Sequence, residues 1–211
     1  MSSVEPHERT SSPGPRHRLK RAGRLRQLLD VAWQIVRVDG TDALTLGHLA
    51  ETAGVSKPVV YSHFATRSEL LAVLYQDFDR RQTAVMDAAL QASETTLESK
   101  ASVIASSYVE CVIRHGREIP GVIAALAGSP ELEKIKRDYE AAFLKKCWGV
   151  LAPFAGTPTL APAGMWAMLG AAERLSYAAA AGDITQEQAR AELFETIVAM
   201  MFRTGRPGCP D

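Results

Sequence analysis

The sequence predicts an all-α protein in two parts, a small N-terminal unit of three helices and a larger helical region that follows it. Apolar residues recur at three- and four-residue spacing through most of the chain. Alanine is abundant, which favours helices, and aromatic residues make up only 7% of the sequence. A hydrophobic content of 46% over 211 residues is enough for the cores of one large or two small domains.

The stretch 45–64, TLGHLAETAGVSKPVVYSHF, predicts two short helices joined by a tight turn. Thr45 is a suitable N-cap for the first helix, and Gly54 stands where a helix end requires a left-handed residue. Ser56 is a candidate N-cap for the second helix, whose first turn tolerates Pro58. The stretch is therefore interpreted as a helix-turn-helix unit.

The second short helix is expected to bury one side and expose the other. Val60 and Phe64 lie four residues apart and share the inward face. The outward side chains are then Lys57, Pro58, Val59, Tyr61, Ser62 and His63. A mildly basic and aromatic exposed face is typical of a recognition helix, although on the apolar pattern alone a helix pair used only for packing stays open.

These residues carry a resemblance to a known family. The pattern T-L-x-x-L-A-x-x-A-G-V-S-K-x-x-x-Y-x-x-F resembles the DNA-binding domain of TetR-type transcriptional repressors, and the resemblance extends over roughly 21–75. The rest of the chain resembles that family only in length and helical texture. The family often has an acidic residue at position 48 and an aromatic residue at position 63, where this chain has His48 and His63, so contacts to DNA are expected to differ.

Charge is distributed unevenly along a chain whose formal net charge is zero. Residues 1–81 carry 12 Lys and Arg against 9 Asp and Glu, a net charge of +3, whereas 82–211 carry 12 against 15, a net charge of −3. The segment 16–26 holds six Lys or Arg and no acidic residue. A basic end joined to a second module is expected of a DNA-contacting domain.

The resemblance and the charge pattern together divide the chain into a disordered basic tail at 1–18, a helix-turn-helix DNA-binding domain at 19–66 and a helical regulatory and dimerisation domain at 67–205. Operator DNA, expected to be palindromic, is the implied partner. The predicted DNA-binding residues are Lys20, Arg21, Arg24, Thr45, Ser56, Lys57, Pro58, Val59, Tyr61, Ser62 and His63.

The other helices follow from apolar stripes and from Gly and Pro at their ends. The first is expected at 20–38 and stops at Gly40. A long helix from Arg67 to about Ala92, with Leu70, Leu71, Leu74, Phe78 and Val85 buried, connects the two domains. Further helices are expected at about 96–115, 120–127, 130–150, 163–181 and 186–203. On the 130–150 helix a solvated face of alternating charge is expected from Glu133, Lys134, Lys136, Arg137 and Glu140.

The last predicted helix is apolar over more than one face, which indicates burial on several sides. The prediction is a homodimer in which the helices at about 163–181 and 186–203 form a four-helix bundle with their symmetry mates. The alternative, in which these helices form only the core of one subunit, stays open. The predicted dimer residues are Trp166, Leu169, Leu175, Leu193, Ile197 and Met201.

The resemblance further implies a ligand pocket among the middle helices of the second domain. Apolar and aromatic walls would suit a small hydrophobic or aromatic effector. The candidate lining residues are Met86, Tyr108, Cys111, Tyr139, Phe143 and Trp148. Side chains of this kind at helical spacing also occur as ordinary core residues, so the alternative that these six residues only form core stays open.

No catalytic motif is present, and neither a cofactor nor a metal site is predicted. The sequence lacks a Gly-rich phosphate loop, a G-x-S-x-G elbow and an H-E-x-x-H helix. Its three cysteines show no zinc-ligand spacing, and the N-terminus has no apolar leader, so a cytoplasmic protein is expected. The uncharged run 147–172 is interrupted by Pro and Gly and is not predicted to span a membrane.

Three functions remain from the sequence. The first is a repressor that a small molecule releases from its operator. The second is a DNA-binding regulator without such a ligand, and the third is an all-α enzyme or scaffold whose helix-turn-helix serves only for packing.

Overall fold

The computed structural model describes residues 21–115, 119–126, 130–155 and 162–203. Within these ranges the chain forms helices and no strand, which confirms the all-α prediction. The helices are α1 (Arg21–Asp39), α2 (Leu46–Thr52), α3 (Lys57–Tyr61), α4 (Arg67–Ala92), α5 (Leu97–His115), α6 (Ile119–Leu126), α7 (Pro130–Leu151), α8 (Pro162–Ala181) and α9 (Gln186–Arg203). Single turns of 3₁₀ helix lie at Thr41–Ala43 and Ala152–Phe154.

The ends of α2 and α3 follow the local sequence, with one exception. The backbone N–H of His48 donates to Thr45 Oγ1 at 3.1 Å, and Gly54 has the left-handed φ of 64° that lets α2 end in a tight turn. Ser56 is the N-cap residue of α3, as predicted, but its side chain makes no cap hydrogen bond. Pro58, two residues after Ser56, has no N–H to donate. The N–H of Val59 donates to the backbone oxygen of Ser56, and not to its hydroxyl.

A first core joins α1, α2, α3 and the start of α4. Val60 and Phe64 are buried as predicted and pack with Leu28 and Leu49. The apolar face predicted for α1 is also confirmed, since most of its residues lie in this core. One residue comes from farther along the chain, because Val122 of α6 is completely buried in the same cluster.

A second core is built from α5, α8 and α9, with contributions from α4 and α7. α9 packs against both α5 and α8, so its broad apolar surface is covered within one chain. Val85 on α4 was predicted to be buried, but its side chain is 57% exposed. Val85 lies one residue before Met86, which is buried, and adjacent residues on a helix point in different directions.

Helix α4 contributes buried residues to both cores. α4 places Leu70 and Leu74 in the first core and Met86 in the second. α6 contacts α4, α7 and the 3₁₀ turn Thr41–Ala43. Of the helices in the described ranges, none is long and apolar enough to cross a membrane.

Candidate DNA-binding face and ligand cavity

The exposed side of α3 is formed by the residues predicted for it. Lys57, Pro58, Tyr61 and Ser62 are exposed, and the Tyr61 ring is 55% exposed, so the ring does not belong to the core. Val59 is only half-exposed. Because Val60 anchors the opposite side of this short helix, a polar and aromatic ridge points away from the first core.

The N-terminus of α1 lies beside the end of α3. Arg21 Nη2 is 3.5 Å from the backbone oxygen of Ser62, and Arg21 and Arg24 lie close enough to His63 to affect its charge state. Partial burial, reinforced by these two arginines, lowers the pKa of His63 below its ordinary value. His63 is therefore a half-buried ring at the edge of the basic surface, and not the fully outward side chain that the sequence predicted.

Arg26, a member of the basic segment 16–26, does not face the same way. Its guanidinium binds Asp30 at 2.5 Å and Asp77 at 3.0 Å, and Asp77 is only 4% exposed. Arg81 also binds Asp77. These ion pairs tie α1 to α4, so Arg26 has a structural role and lies outside the candidate DNA-binding face.

Two further predicted DNA-binding residues lie at helix starts, and one lies outside the described residues. Thr45 and Ser56 are exposed, and the Ser56 hydroxyl is not used as a cap. Lys20 and the tail at 1–18 fall outside the described ranges. The candidate face therefore consists of α3, its cap and the start of α1.

A cavity of about 150 Å³ opens among α4, α5, α6, α7 and α8. Five of the six predicted ligand residues line it, namely Met86, Tyr108, Cys111, Tyr139 and Phe143. Trp148 does not, because it lies five residues after Phe143 and so points to another side of α7, where it packs in the second core. The cavity is comparable in volume to one that accepts benzene.

Aromatic rings form one part of the cavity wall. Tyr75 and Tyr139 meet edge to face with ring centroids 5.4 Å apart, and Tyr108 and Phe143 lie 5.5 Å apart. Phe78 of α4 packs edge to face with the ring of His115 at 5.3 Å. Such tilted contacts between rings give a rigid wall with preferred positions for a further ring.

Charged side chains also line the cavity, which the sequence did not predict. Lys136 and Glu140 were assigned to a solvated face of α7, yet both face the cavity and form an ion pair of 2.7 Å. Asp79 from α4 and Glu173 from α8 complete this polar part of the lining. Burial raises the pKa of both carboxyl groups above the ordinary value, opposed by Lys146 for Asp79 and by Lys136 for Glu173.

The cavity chemistry favours binding over reaction. Burial raises the pKa of the Cys111 thiol to about 12, so the thiolate is not populated at neutral pH. Burial also raises the pKa of the Tyr108 phenol well above its usual range. Among the described residues, no group of three or more His, Cys, Asp or Glu side chains lies close enough to hold a metal ion.

The residues predicted for a dimer interface separate into two groups. Leu169, Leu193, Ile197 and Met201 are at most 5% exposed and belong to the second core, so they do not form a surface for a partner. Packing among α5, α8 and α9 of the same chain buries these four residues beneath the outer surface, and the dimer interface itself stays a prediction. Trp166 is 48% exposed and Leu175 is half-buried.

An outer strip of α8 and α9 remains uncovered in the single chain. Trp166 lies one turn before Gly170, where an added Cβ would meet no atom within 4 Å. On α9, Phe202 is 70% exposed. Large exposed apolar side chains beside a small residue leave a face on which another helix could pack.

Comparison with known proteins identifies the N-terminal part of the chain. Residues 28–74 match the model of the bacterial regulatory proteins of the TetR family. A segment of 85 residues is 39% identical to the HTH-type transcriptional activator FasR of Mycolicibacterium smegmatis. That match spans 40% of this chain and 37% of the relative's length.

Solved structures share the architecture across most of the chain. A TetR transcription regulator from Haloarcula marismortui superposes with a TM-score of 0.71 at 16% identity, covering 85% of this chain and 99% of the other. The fatty acid degradation regulator FadR from Bacillus halodurans gives a TM-score of 0.67 at 13% identity, covering 82% and 97%. At these identities the likeness shows a common fold. Residues 28–74 thus match the helix-turn-helix region of the TetR family of bacterial regulatory proteins, and the described chain shares the fold of solved TetR-family structures.

Proposed function

We propose that the chain is a dimeric, sequence-specific DNA-binding transcriptional regulator, acting in the cytoplasm as a repressor that a small hydrophobic or aromatic effector releases from a palindromic operator. The observation that carries the DNA-binding part is the division of α3 into two sides. Val60 and Phe64 are buried to at least 99%, whereas Lys57, Pro58 and Tyr61 face solvent. A helix used only for packing has no need of an exposed aromatic and basic ridge.

The exposed side chains suit a defined set of DNA contacts. Pro58 and Val59 carry no hydrogen-bond donor on their side chains, so they read apolar surface, chiefly thymine methyl groups. Lys57 can reach guanine or a phosphate, and Tyr61 and His63 are placed to contact phosphates. The helix contains no Asn or Gln, so bidentate recognition of adenine is not expected from α3.

Dimerisation is proposed through the outer strip of α8 and α9. Exposed Trp166 and Phe202 would be buried there, and Gly170 would allow close approach of the helices. A closed two-fold arrangement would set two recognition helices about 34–36 Å apart, which is one turn of DNA. A palindromic operator follows from that symmetry.

Effector control is proposed through the cavity and α4. Along α4, Tyr75, Phe78, Gln82 and Met86 line the cavity, while Leu70 and Leu74 belong to the first core. A ligand that displaces α4 would shift the DNA-binding unit on each subunit and change the spacing of the two recognition helices. The effector must prefer the released form to have this effect.

The first test is selection of DNA from random-sequence duplexes by the full-length chain. The expected product is a palindromic motif with half-sites one turn apart. Recovery of no motif would overturn the DNA-binding assignment in favour of an all-α enzyme or scaffold. A motif without symmetry would count against the dimer.

The direction and the ligand dependence of control need a second test. The relative named above is a transcriptional activator, so a reporter carrying the selected operator is measured with and without the protein. Repression supports the proposal, whereas stimulation would replace it with activation. A thermal-shift screen of hydrophobic metabolites that yields no hit would favour the regulator without a small-molecule ligand.

A further inference from the structure

The cavity has a charge pattern that a purely hydrophobic ligand leaves unused. Three carboxylates line it, from Asp79, Glu140 and Glu173, against the single ammonium of Lys136. Glu140 and Lys136 already form an ion pair of 2.7 Å. Among the described residues, Asp79 and Glu173 make neither a hydrogen bond nor an ion pair within bonding distance, so two carboxylates at the cavity wall lack a direct partner.

A second observation places a neutral acceptor beside the carboxylates. The phenol of Tyr108 is partly buried and lines the cavity, and its hydroxyl has no hydrogen-bond partner among the described residues. A cavity-lining hydroxyl without a protein partner is available to hydrogen-bond a ligand group. A donor on the ligand would satisfy both the phenol oxygen and a nearby carboxylate.

The aromatic rings of the cavity wall also favour a positively charged ligand. The faces of aromatic rings are electronegative and attract cations that approach within about 6 Å of the ring centroid. The cavity presents Tyr75, Phe78, Tyr108, Tyr139, Phe143 and Tyr177. Rings and unpaired carboxylates therefore both favour a positive charge.

We infer that the cavity binds a small aromatic cation, such as a protonated arylalkylamine, with its ring between the tyrosine and phenylalanine side chains and its ammonium facing Asp79 and Glu173. This inference rests on the proposed role of the cavity as the effector site. The volume of about 150 Å³ suits one ring with a short chain. The cation supplies the donors that Asp79, Glu173 and Tyr108 lack.

Two other classes of ligand fit the same walls less well. A carboxylate ligand would face Asp79 and Glu173 at close range, and the one lining ammonium is already bound to Glu140. A neutral apolar ligand would remove water from the two carboxylates without replacing its hydrogen bonds, which costs free energy. The cavity therefore selects the amine over carboxylate and neutral ligands by its charge and not by its shape.

The test compares three probes of matched size against the full-length chain. Isothermal titration measures binding of 2-phenylethylamine, 2-phenylethanol and phenylacetate, which share the ring and differ in charge. The amine is expected to bind at least about tenfold more tightly than the alcohol, with the acid weakest. Alcohol or acid binding as tight as amine binding, or no binding of the amine, would overturn the inference.

Substitutions test whether the carboxylates of Asp79 and Glu173 bind the ammonium group of the ligand. Asp79→Asn and Glu173→Gln keep the shape of each side chain and should each weaken amine binding about tenfold, leaving alcohol binding unchanged as a check that the cavity is intact. Glu94→Gln removes a carboxylate from an exposed position that does not line the cavity and should change nothing. Equal amine affinity in Asp79→Asn, Glu173→Gln and the unmodified chain would overturn the assignment.

Operator binding is measured separately, so that the two proposals fail in different ways. Amine binding that leaves operator affinity unchanged would retain the ligand class and remove the effector role of the cavity. Operator release by the alcohol, with no binding of the amine, would retain the effector role and remove the cation.

Discussion

The exposed ridge of α3 gives the first prediction at the scale of single residues. Lys57→Ala and Tyr61→Phe should each weaken operator binding by about 1 kcal/mol, or about fivefold, because each removes one polar contact to DNA. Neither side chain supports the first core, so thermal unfolding should be unchanged. The measurement is a binding titration on the selected operator. Val38→Ala, a change at a 73% exposed position at the other end of α1, is the control. Unchanged affinity in both α3 variants would remove this face from the DNA contact.

His63 predicts a pH dependence of DNA binding. Its pKa is lowered in the free protein by burial and by Arg21 and Arg24, so the ring is largely neutral near pH 7. A phosphate placed beside the ring would raise that pKa, and binding would then take up a proton. Operator affinity should therefore rise as pH falls from about 7.5 to 5.5, by up to about tenfold for each unit of pKa change.

Replacing the ring tests which histidine carries this effect. His63→Gln should flatten the pH profile of operator binding, whereas His48→Gln should leave it unchanged. His48 already has its Nδ1 3.1 Å from the backbone oxygen of Ala43. The same slope in the His63 variant and the unmodified protein would contradict the prediction.

At this scale the sequence predicted apolar cavity residues better than charged ones. Tyr108, Cys111, Tyr139 and Phe143 were named as candidates for the pocket that the family resemblance implies, and all four line the cavity. Lys136 and Glu140 were assigned to solvent because alternating charges on a helix normally face water. Their actual position depends on how α7 packs against α4 and α8, and one sequence contains no signal of that packing.

Helix α6 packs closely against the Thr41–Ala43 turn. A Cβ added at Gly121 would lie 2.5 Å from Thr41 Oγ1 and 3.3 Å from Thr41 Cβ. Gly121→Ala should therefore lower the free energy of unfolding by about 1–3 kcal/mol through overpacking. Thermal and denaturant unfolding are the measurements. Thr41→Ala in the same chain removes the nearer atom and should restore part of the loss.

The matched control is another glycine within a helix. An added Cβ at Gly149 of α7 meets nothing within 4 Å, so Gly149→Ala should raise stability by about 0.4–1 kcal/mol. Equal effects of the two substitutions would show that helix propensity, and not the contact with Thr41, determines the outcome.

A charged substitution tests whether the outer strip of α8 and α9 forms the dimer interface. Trp166→Glu should weaken dimerisation by about 2 kcal/mol or more, because it removes a central aromatic side chain and leaves a carboxylate in an apolar contact. Sedimentation over a range of concentrations measures the effect. Val85→Glu changes a similarly exposed apolar residue on α4 and should leave the mass unchanged. A stable dimer in the Trp166 variant would place the interface elsewhere.

Helices α8 and α9 show how much an apolar pattern in the sequence reveals about the helices that pack against it. The broad apolar surface of α9 correctly indicated burial on several sides, but pattern alone does not identify the partner helix. α5 and α8 supply it within the chain, and the residues left for another subunit are the few that face outwards, such as Trp166 and Phe202. Helix ends were more predictable, because Gly54 and Thr45 act through their own backbone and neighbours.

Across the whole molecule, two physical connections link the cavity to the DNA-binding unit. Arg67, in the first turn of α4, donates to the backbone oxygens of Leu44 at 2.8 Å and Thr41 at 2.7 Å. α6 reaches the same turn through Gly121, while its Ile123 lines the cavity. We therefore expect a change in cavity volume to act on the Thr41–Ala43 turn along both helices.

This arrangement predicts a reciprocal coupling between effector and operator. If the effector weakens operator binding tenfold, which corresponds to about 1.4 kcal/mol, then operator must weaken effector binding by the same factor. The measurement is titration of each thermal-shift hit against the protein alone and against the protein saturated with selected operator. Arg67→Lys keeps the positive charge but loses the two-point attachment to the turn, so both factors should shrink together in this variant. A hit whose affinity ignores the operator binds at a site that does not control release, and unequal factors would show that more than these two equilibria are being measured.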